Sequence, residues 1–122
     1  MTIDQIVADL ISLYKTAWET HNDGLLDIIF LDDAVYIEKP TVVYCGISDI
    51  KRYWRKNTST QSRVSFTPKR IICNDKTAAI EWSARFYRID LGAWLSLDGT
   101  MWIILKDGRI HELKEHFFVT KE

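Results

Sequence analysis

Residues 77–118 read TAAIEWSARFYRIDLGAWLSLDGTMWIILKDGRIHELKEHFF, and this stretch decides the fold. Apolar, β-branched and aromatic residues fill it in long runs, broken at Leu91-Gly92 and at Lys106-Asp107-Gly108. Runs of this kind between short turn signals read as strands joined by hairpins. Strands are expected over Thr77–Asp90, Ala93–Leu105 and Arg109–Phe118. A fourth, Val64–Cys73, lies upstream across the Asn74-Asp75-Lys76 turn. The sheet should be a mostly antiparallel meander.

Strand alternation sorts the faces. Ile80, Trp82, Ala84 and Phe86 share one side and are assigned to the interior, with Glu81, Ser83 and Arg85 opposite. Further on, Trp102 and Ile104 oppose Met101, Ile103 and Leu105. A strand apolar on both faces should be covered on both. Helices can cover only one, so the convex face is expected to be a homodimer interface. In the last strand Ile110 and Leu113 both suit the interior, yet their odd spacing sets them on opposite sides. A β-bulge near Glu112 reconciles them. Which of Glu112, Glu115 and His116 face inward depends on that bulge.

The N-terminal half is helical. Ile3, Ile6, Val7, Leu10, Ile11, Tyr14 and Trp18 recur at helical spacing, behind a capping box of Thr2 and Gln5 with Asp4 in the first turn. His21 to Gly24 ends this helix, and Asn22 or Asp23 caps a short second one carrying Leu25, Leu26, Ile28, Ile29 and Phe30. Asp32-Asp33 stops it, Ala34 to Glu38 reads as a strand closed by Pro40, and a loop leads to Gly46. Ser48 is the expected cap of a third helix with Ile50, Tyr53 and Trp54 on one face, followed by a polar loop over 57–62. Helices first and long strands after indicate α+β: three helices in the concave face of a strongly curved, mostly antiparallel sheet. The hollow of such a cone is a natural place for a ligand.

At 122 residues the chain suits one domain over 1–122, large enough to bury a core without disulfide or metal. Its 47% hydrophobic and 12% aromatic content is globular, and five tryptophans can build a core, a pocket or an interface. A net charge of −1 gives no global field for nucleic acid or an anionic membrane. Lys51, Arg52, Arg55 and Lys56 read as the solvated face of the third helix. Cys45 and Cys73 fit no zinc or redox spacing and read as free thiols of a reducing compartment. With no signal peptide and no apolar stretch near membrane length, a cytoplasmic protein is expected.

No phosphate-binding glycine loop or nucleophile elbow occurs. His111 and His116 mimic a zinc-helix motif, but five residues apart on a strand they point to opposite faces, so no metal is expected. The titratable candidates for a pocket are Tyr14, Glu38, Lys39, Asp98, Glu112 and His116. An acid or histidine against aromatic walls has a shifted pKa and suits proton transfer. Trp18, Trp54, Trp82 and Trp102 are the aromatic candidates for the walls.

Three motifs extend this reading. Asp32-Asp33-Ala34-Val35-Tyr36-Ile37-Glu38-Lys39-Pro40, then Gly46 and an Ile-Tyr-Trp helix, resembles the SnoaL-like branch of the nuclear-transport-factor-2-like superfamily. Ala79-Ile80-Glu81-Trp82 and Asp107-Gly108-Arg109-Ile110 followed by Leu113-Lys114-Glu115-His116-Phe117 resemble its later strands. The resemblance implies a cone fold and a small-molecule pocket. It does not fix a function, because the superfamily holds steroid isomerases, polyketide cyclases, dehydratases, epoxide hydrolases and non-catalytic binders. Against the steroid-isomerase pattern, Tyr14 falls at the tyrosine donor position, but the base position holds Lys39 and the second acid position holds Thr100, two residues beyond Asp98.

Two functions are therefore expected as alternatives. One is a cofactor-free acid–base enzyme acting on a small apolar or polycyclic molecule, with Tyr14, Asp98 and His116 catalytic and Trp18, Lys39, Trp54, Trp82 and Trp102 binding the ligand. The other is a non-catalytic ligand-binding or dimerisation module.

Overall fold

The computed structural model describes residues 1–122. Helix α1 spans Ile3–Glu19, and a 3₁₀ turn at Asp23–Leu25 runs into the short α2, Leu26–Ile29. Strands β1 (Phe30–Lys39) and β2 (Val42–Cys45) form a hairpin before α3, Ile47–Thr58. Strands β3 (Gln61–Asn74), β4 (Thr77–Arg88), β5 (Ala93–Lys106) and β6 (Arg109–Lys121) complete the chain. The six strands form one sheet in the order β2-β1-β6-β5-β4-β3. All neighbours are antiparallel except β1 and β6, which run parallel. The result is the α+β cone, with three helices packed against a mixed sheet.

Local chemistry explains the elements. The Thr2–Gln5 capping box is present, and the Asn22 side chain accepts from the Gly24 amide. The β5–β6 turn puts Asp107 and Gly108 at φ 53° and 74°, the paired left-handed residues of a two-residue hairpin. Several expectations need correction. Phe30 and Asp32-Asp33 lie in β1 rather than ending the second helix, and of residues 57–62 only 59 and 60 lie between α3 and β3. Residues 42–45 are a strand, not a loop: Pro40 and Thr41 make a tight turn, and Val42–Cys45 folds back on β1. The residue capping α3 is Gly46 rather than Ser48. Gly46 sits at φ 86°, ψ 156°, a conformation open essentially to glycine alone, and its amide donates to the Ala34 carbonyl at 2.7 Å.

The core follows strand parity. Ile80, Trp82, Ala84 and Phe86 of β4 and Met101, Ile103 and Leu105 of β5 are buried against Val7, Leu10, Ile11 and Tyr14 of α1. The bulge near Glu112 is present: Ile104 pairs with Glu112 but Leu105 pairs with Ile110. It resets the alternation, so that Ile110, Leu113 and Glu115 are all buried. On β3, register shifts between Ser62 and Ser65 and between Pro68 and Arg70 bend the outer strand. Helix α1 holds that strand by both backbone groups of one residue. Phe66 donates its amide to Glu19 Oε2 at 2.8 Å, and its carbonyl accepts from Lys15 Nζ at 2.7 Å.

Candidate functional site

The sheet does not close completely on the helices. A cavity of about 260 Å³ remains at the end of the cone away from the first turns of α1. Tyr14 and Trp18 of α1 and Tyr53, Trp54, Asn57 and Thr58 of α3 form its roof. Tyr36 and Glu38 of β1, Trp82, Phe86 and Arg88 of β4, and Glu115 and Phe117 of β6 form its floor and sides, with Gln61 of β3 at the edge. Eight of these side chains are aromatic.

The rings meet at steep angles rather than in a flat stack. Tyr14 and Trp54 are 5.2 Å apart at 90°, and Trp18 meets Trp82 at 6.1 Å and 70°. Trp18 is fixed by donating Nε1–H to Gln61 Oε1 at 2.7 Å. Trp82 stacks on Phe66 at 5.7 Å and 14°, and its own N–H is buried without a partner. Its place depends on Gly99 beside it on β5. A Cβ there would lie 2.7 Å from Trp82 Cζ2 and 2.7 Å from the His116 carbonyl oxygen.

Glu115 is the chemically distinctive group. It is 6% exposed, on a strand whose neighbouring inward residues are Leu113 and Phe117. Burial pushes its carboxyl from the ordinary 4.5 up to about 7. Glu38 adds to the rise by like charge, while the neighbouring Tyr36 and Tyr53 hydroxyls favour the carboxylate and hold it back. Tyr14 stands behind Tyr36, the two hydroxyl oxygens 3.5 Å apart. Burial first, and then the charge of Glu115, hold the Tyr14, Tyr36 and Tyr53 hydroxyls well above the usual phenol range. All three therefore remain protonated donors at neutral pH. The arrangement is a half-ionised acid at pH 7 served by neutral donors within an aromatic enclosure. It can take up or release a proton beside aromatic walls.

Of the residues expected from sequence, Tyr14, Trp18, Glu38, Trp54 and Trp82 reach this cavity. Asp98, His116, Lys39 and Trp102 do not. Leu97 and Met101 face inward, so Asp98 and Trp102 face out. Asp98 lies 3.5 Å from Lys69 on the convex surface, and Trp102 is 50% exposed. The bulge sends Glu115 inward and His116 outward into a shallow convex depression shared with Asp98. Lys39 is exposed where β1 turns at Pro40. Of Glu112, Glu115 and His116, left open in the sequence, Glu115 is the one that faces inward. Counting by two from Leu113, once that residue is placed in the core, would have found it.

The chain belongs to the SnoaL-like domain family, whose model matches residues 11–113. A search of curated proteins finds no match. Among solved structures it is similar to TsrD from Streptomyces laurentii, at 16% identity over 93% of this chain and 88% of that one, with a TM-score of 0.83. It is also similar to SalBIII, an epoxide hydrolase/cyclase-like enzyme with a role in pyran ring formation in the polyether salinomycin. There the identity is 13%, the cover 98% of both chains and the TM-score 0.84. An LEH-like epoxide hydrolase from M. tuberculosis matches at 14% identity over 93% of this chain and 84% of that one, with a TM-score of 0.79. At these identities the likeness is one of fold. No helix is long and apolar enough to cross a membrane.

Proposed function

We propose that this protein is an acid–base enzyme that isomerises, cyclises, dehydrates or hydrolyses a small, mainly apolar molecule. The observation that carries this reading is the buried Glu115 carboxyl, at about 7, in the wall of an aromatic cavity beside Tyr36 and Tyr53. The carboxylate form takes a proton from an acidic C–H or O–H of the substrate or, in a hydrolysis, from the water that adds to it. The resulting acid returns the proton to another atom of the substrate, so the enzyme ends unchanged. While Glu115 is protonated it needs fewer hydrogen bonds. The Tyr36 and Tyr53 hydroxyls are then free to donate to a developing oxyanion. Tyr14 supports Tyr36 from behind. These side chains supply the acid, the base and the donors, so the reading calls for no cofactor. That SalBIII and the M. tuberculosis hydrolase share the fold is in keeping with it.

The test is turnover of a panel of epoxides and enolisable ketones, followed by mass spectrometry. Activity should rise with pH through a midpoint near 7, and Glu115→Gln should lower kcat by at least about a hundredfold. Unchanged turnover in that variant would leave a ligand-binding module in which the cavity serves only to hold. A second proposal concerns assembly. Trp102, half exposed, and Ile72, 60% exposed, lie on the convex face of the sheet, and we propose that a second copy of the chain covers them.

A further inference from the structure

The charge inside the cavity is unbalanced. Two carboxyls, Glu38 and Glu115, line it against one cation, Arg88. Arg88 is already engaged: its Nε and Nη2 donate to the two carboxylate oxygens of Asp90 at 2.8 and 2.7 Å. The remaining groups facing Glu115 are the hydroxyls of Tyr14 on α1, Tyr36 on β1 and Tyr53 on α3, all neutral donors. Glu115 thus has neutral donors near it but no counter-ion. A buried carboxylate without a cation is costly, and it stays protonated or acquires one.

The walls point to the same conclusion. Trp18 stands 6.3 Å from Tyr14 at 84° and 6.4 Å from Trp54 at 60°, so the rings form corners. Ring faces set at angles around a small space attract a cation lodged among them, and alkylated ammonium ions are suited because their methyl groups also fill apolar volume. A neutral apolar ligand would use the rings but leave the carboxyls unmatched. An anion would meet Glu38 and Glu115 with no free cation to offset them.

We propose that the ligand of this cavity carries a tertiary or quaternary ammonium group, caged by Tyr14, Trp18, Trp54 and Trp82 with Glu115 as its counter-ion. The inference rests on the reading that the cavity takes a small ligand, and it names that ligand's charge. Such a molecule is an apolar body with one cationic head. Its arrival draws the proton off Glu115, so binding and ionisation are linked.

The experiment compares choline with dimethylbutanol, its uncharged isostere with carbon in place of nitrogen, by calorimetry and by the fluorescence of the cavity tryptophans. At pH 8 choline should bind at least about tenfold tighter. At pH 5.5 the preference should shrink several-fold as Glu115 takes up its proton. Glu115→Gln should show the reduced, pH 5.5 preference at both pH values, the remainder being that of the rings. Equal binding at pH 8, tighter binding of the alcohol, a preference indifferent to pH, or no binding of either would overturn the assignment. Equal binding leaves the acid–base reading standing, because that reading fails on a different result, undiminished turnover in Glu115→Gln.

Discussion

Glu115→Gln should stabilise the fold at neutral and alkaline pH and leave it almost unchanged in acid. The side chain is 6% exposed, and its carboxyl moves from 4.5 to about 7 on folding. A raised acid binds its proton more tightly in the folded state. Its contribution is present in full below pH 4.5 and drains away as the pH rises through 7. Between those values the folded chain holds a proton that the unfolded chain has released, so stability falls with pH. The full loss is about 3 kcal/mol, at about 1.4 kcal/mol for each tenfold change in proton affinity. Gln has the shape of the protonated carboxyl and does not titrate, so the variant escapes the loss. Urea unfolding of both proteins from pH 4.5 to 8.5 measures it. The difference should grow from near zero to about 3 kcal/mol, or about 10 °C in Tm for a domain of this size. Glu19, Asp90 and Glu122, held low by their partners Lys15, Arg88 and Arg85, titrate at the acid end in both proteins and cancel. A difference that is constant across the range would refute a buried, raised Glu115.

Further outcomes follow from the same geometry. Tyr53→Phe removes a hydroxyl that favours the Glu115 carboxylate, so the Glu115 midpoint should rise above 7; a fall would show that Tyr53 does not support it. Gly99→Ala puts a Cβ 2.7 Å from Trp82 and from the His116 carbonyl, and should cost about 1–3 kcal/mol in urea unfolding while displacing the indole, seen as a changed near-ultraviolet tryptophan signal. An unperturbed variant would mean that the ring does not rest on Gly99. Trp102→Glu should convert a dimer to a monomer in sedimentation velocity without loss of fold; a wild-type chain that sediments as a monomer at high concentration removes the proposed interface.

The parts of the fold legible in sequence are those where one periodicity dominates. Helix α1 carries an unbroken apolar stripe with a capping box, and β4 alternates cleanly from Ile80 to Phe86. The D-G turn between β5 and β6 has chemistry of its own. Strand β2 was not legible because four residues beside Pro40 carry too little pattern to separate a strand from a loop. The cap of α3 differs because the helix starts at Ile47, behind a glycine at φ 86° that makes no side-chain cap bond, so Ser48 already lies within it. The site shows the same limit more sharply. One bulged residue on β6 decides whether Glu115 or His116 faces the cavity. The sequence revealed the need for a bulge, while its position relative to those two residues came from the pairing of Leu105 with Ile110. Trp18, Trp54 and Trp82 were found because bulky aromatic residues near a cone's interior have few other places to go. Asp98 and Trp102 were misplaced because their strand is apolar on both faces, so composition did not reveal which side is enclosed.

The most direct measurement is a carbon-13 carboxyl NMR titration of Glu115 in the folded protein. The account predicts a midpoint near pH 7, well separated from the exposed glutamates. A midpoint at the ordinary 4.5 would mean a solvated carboxyl, and the acid–base site built on it would not exist.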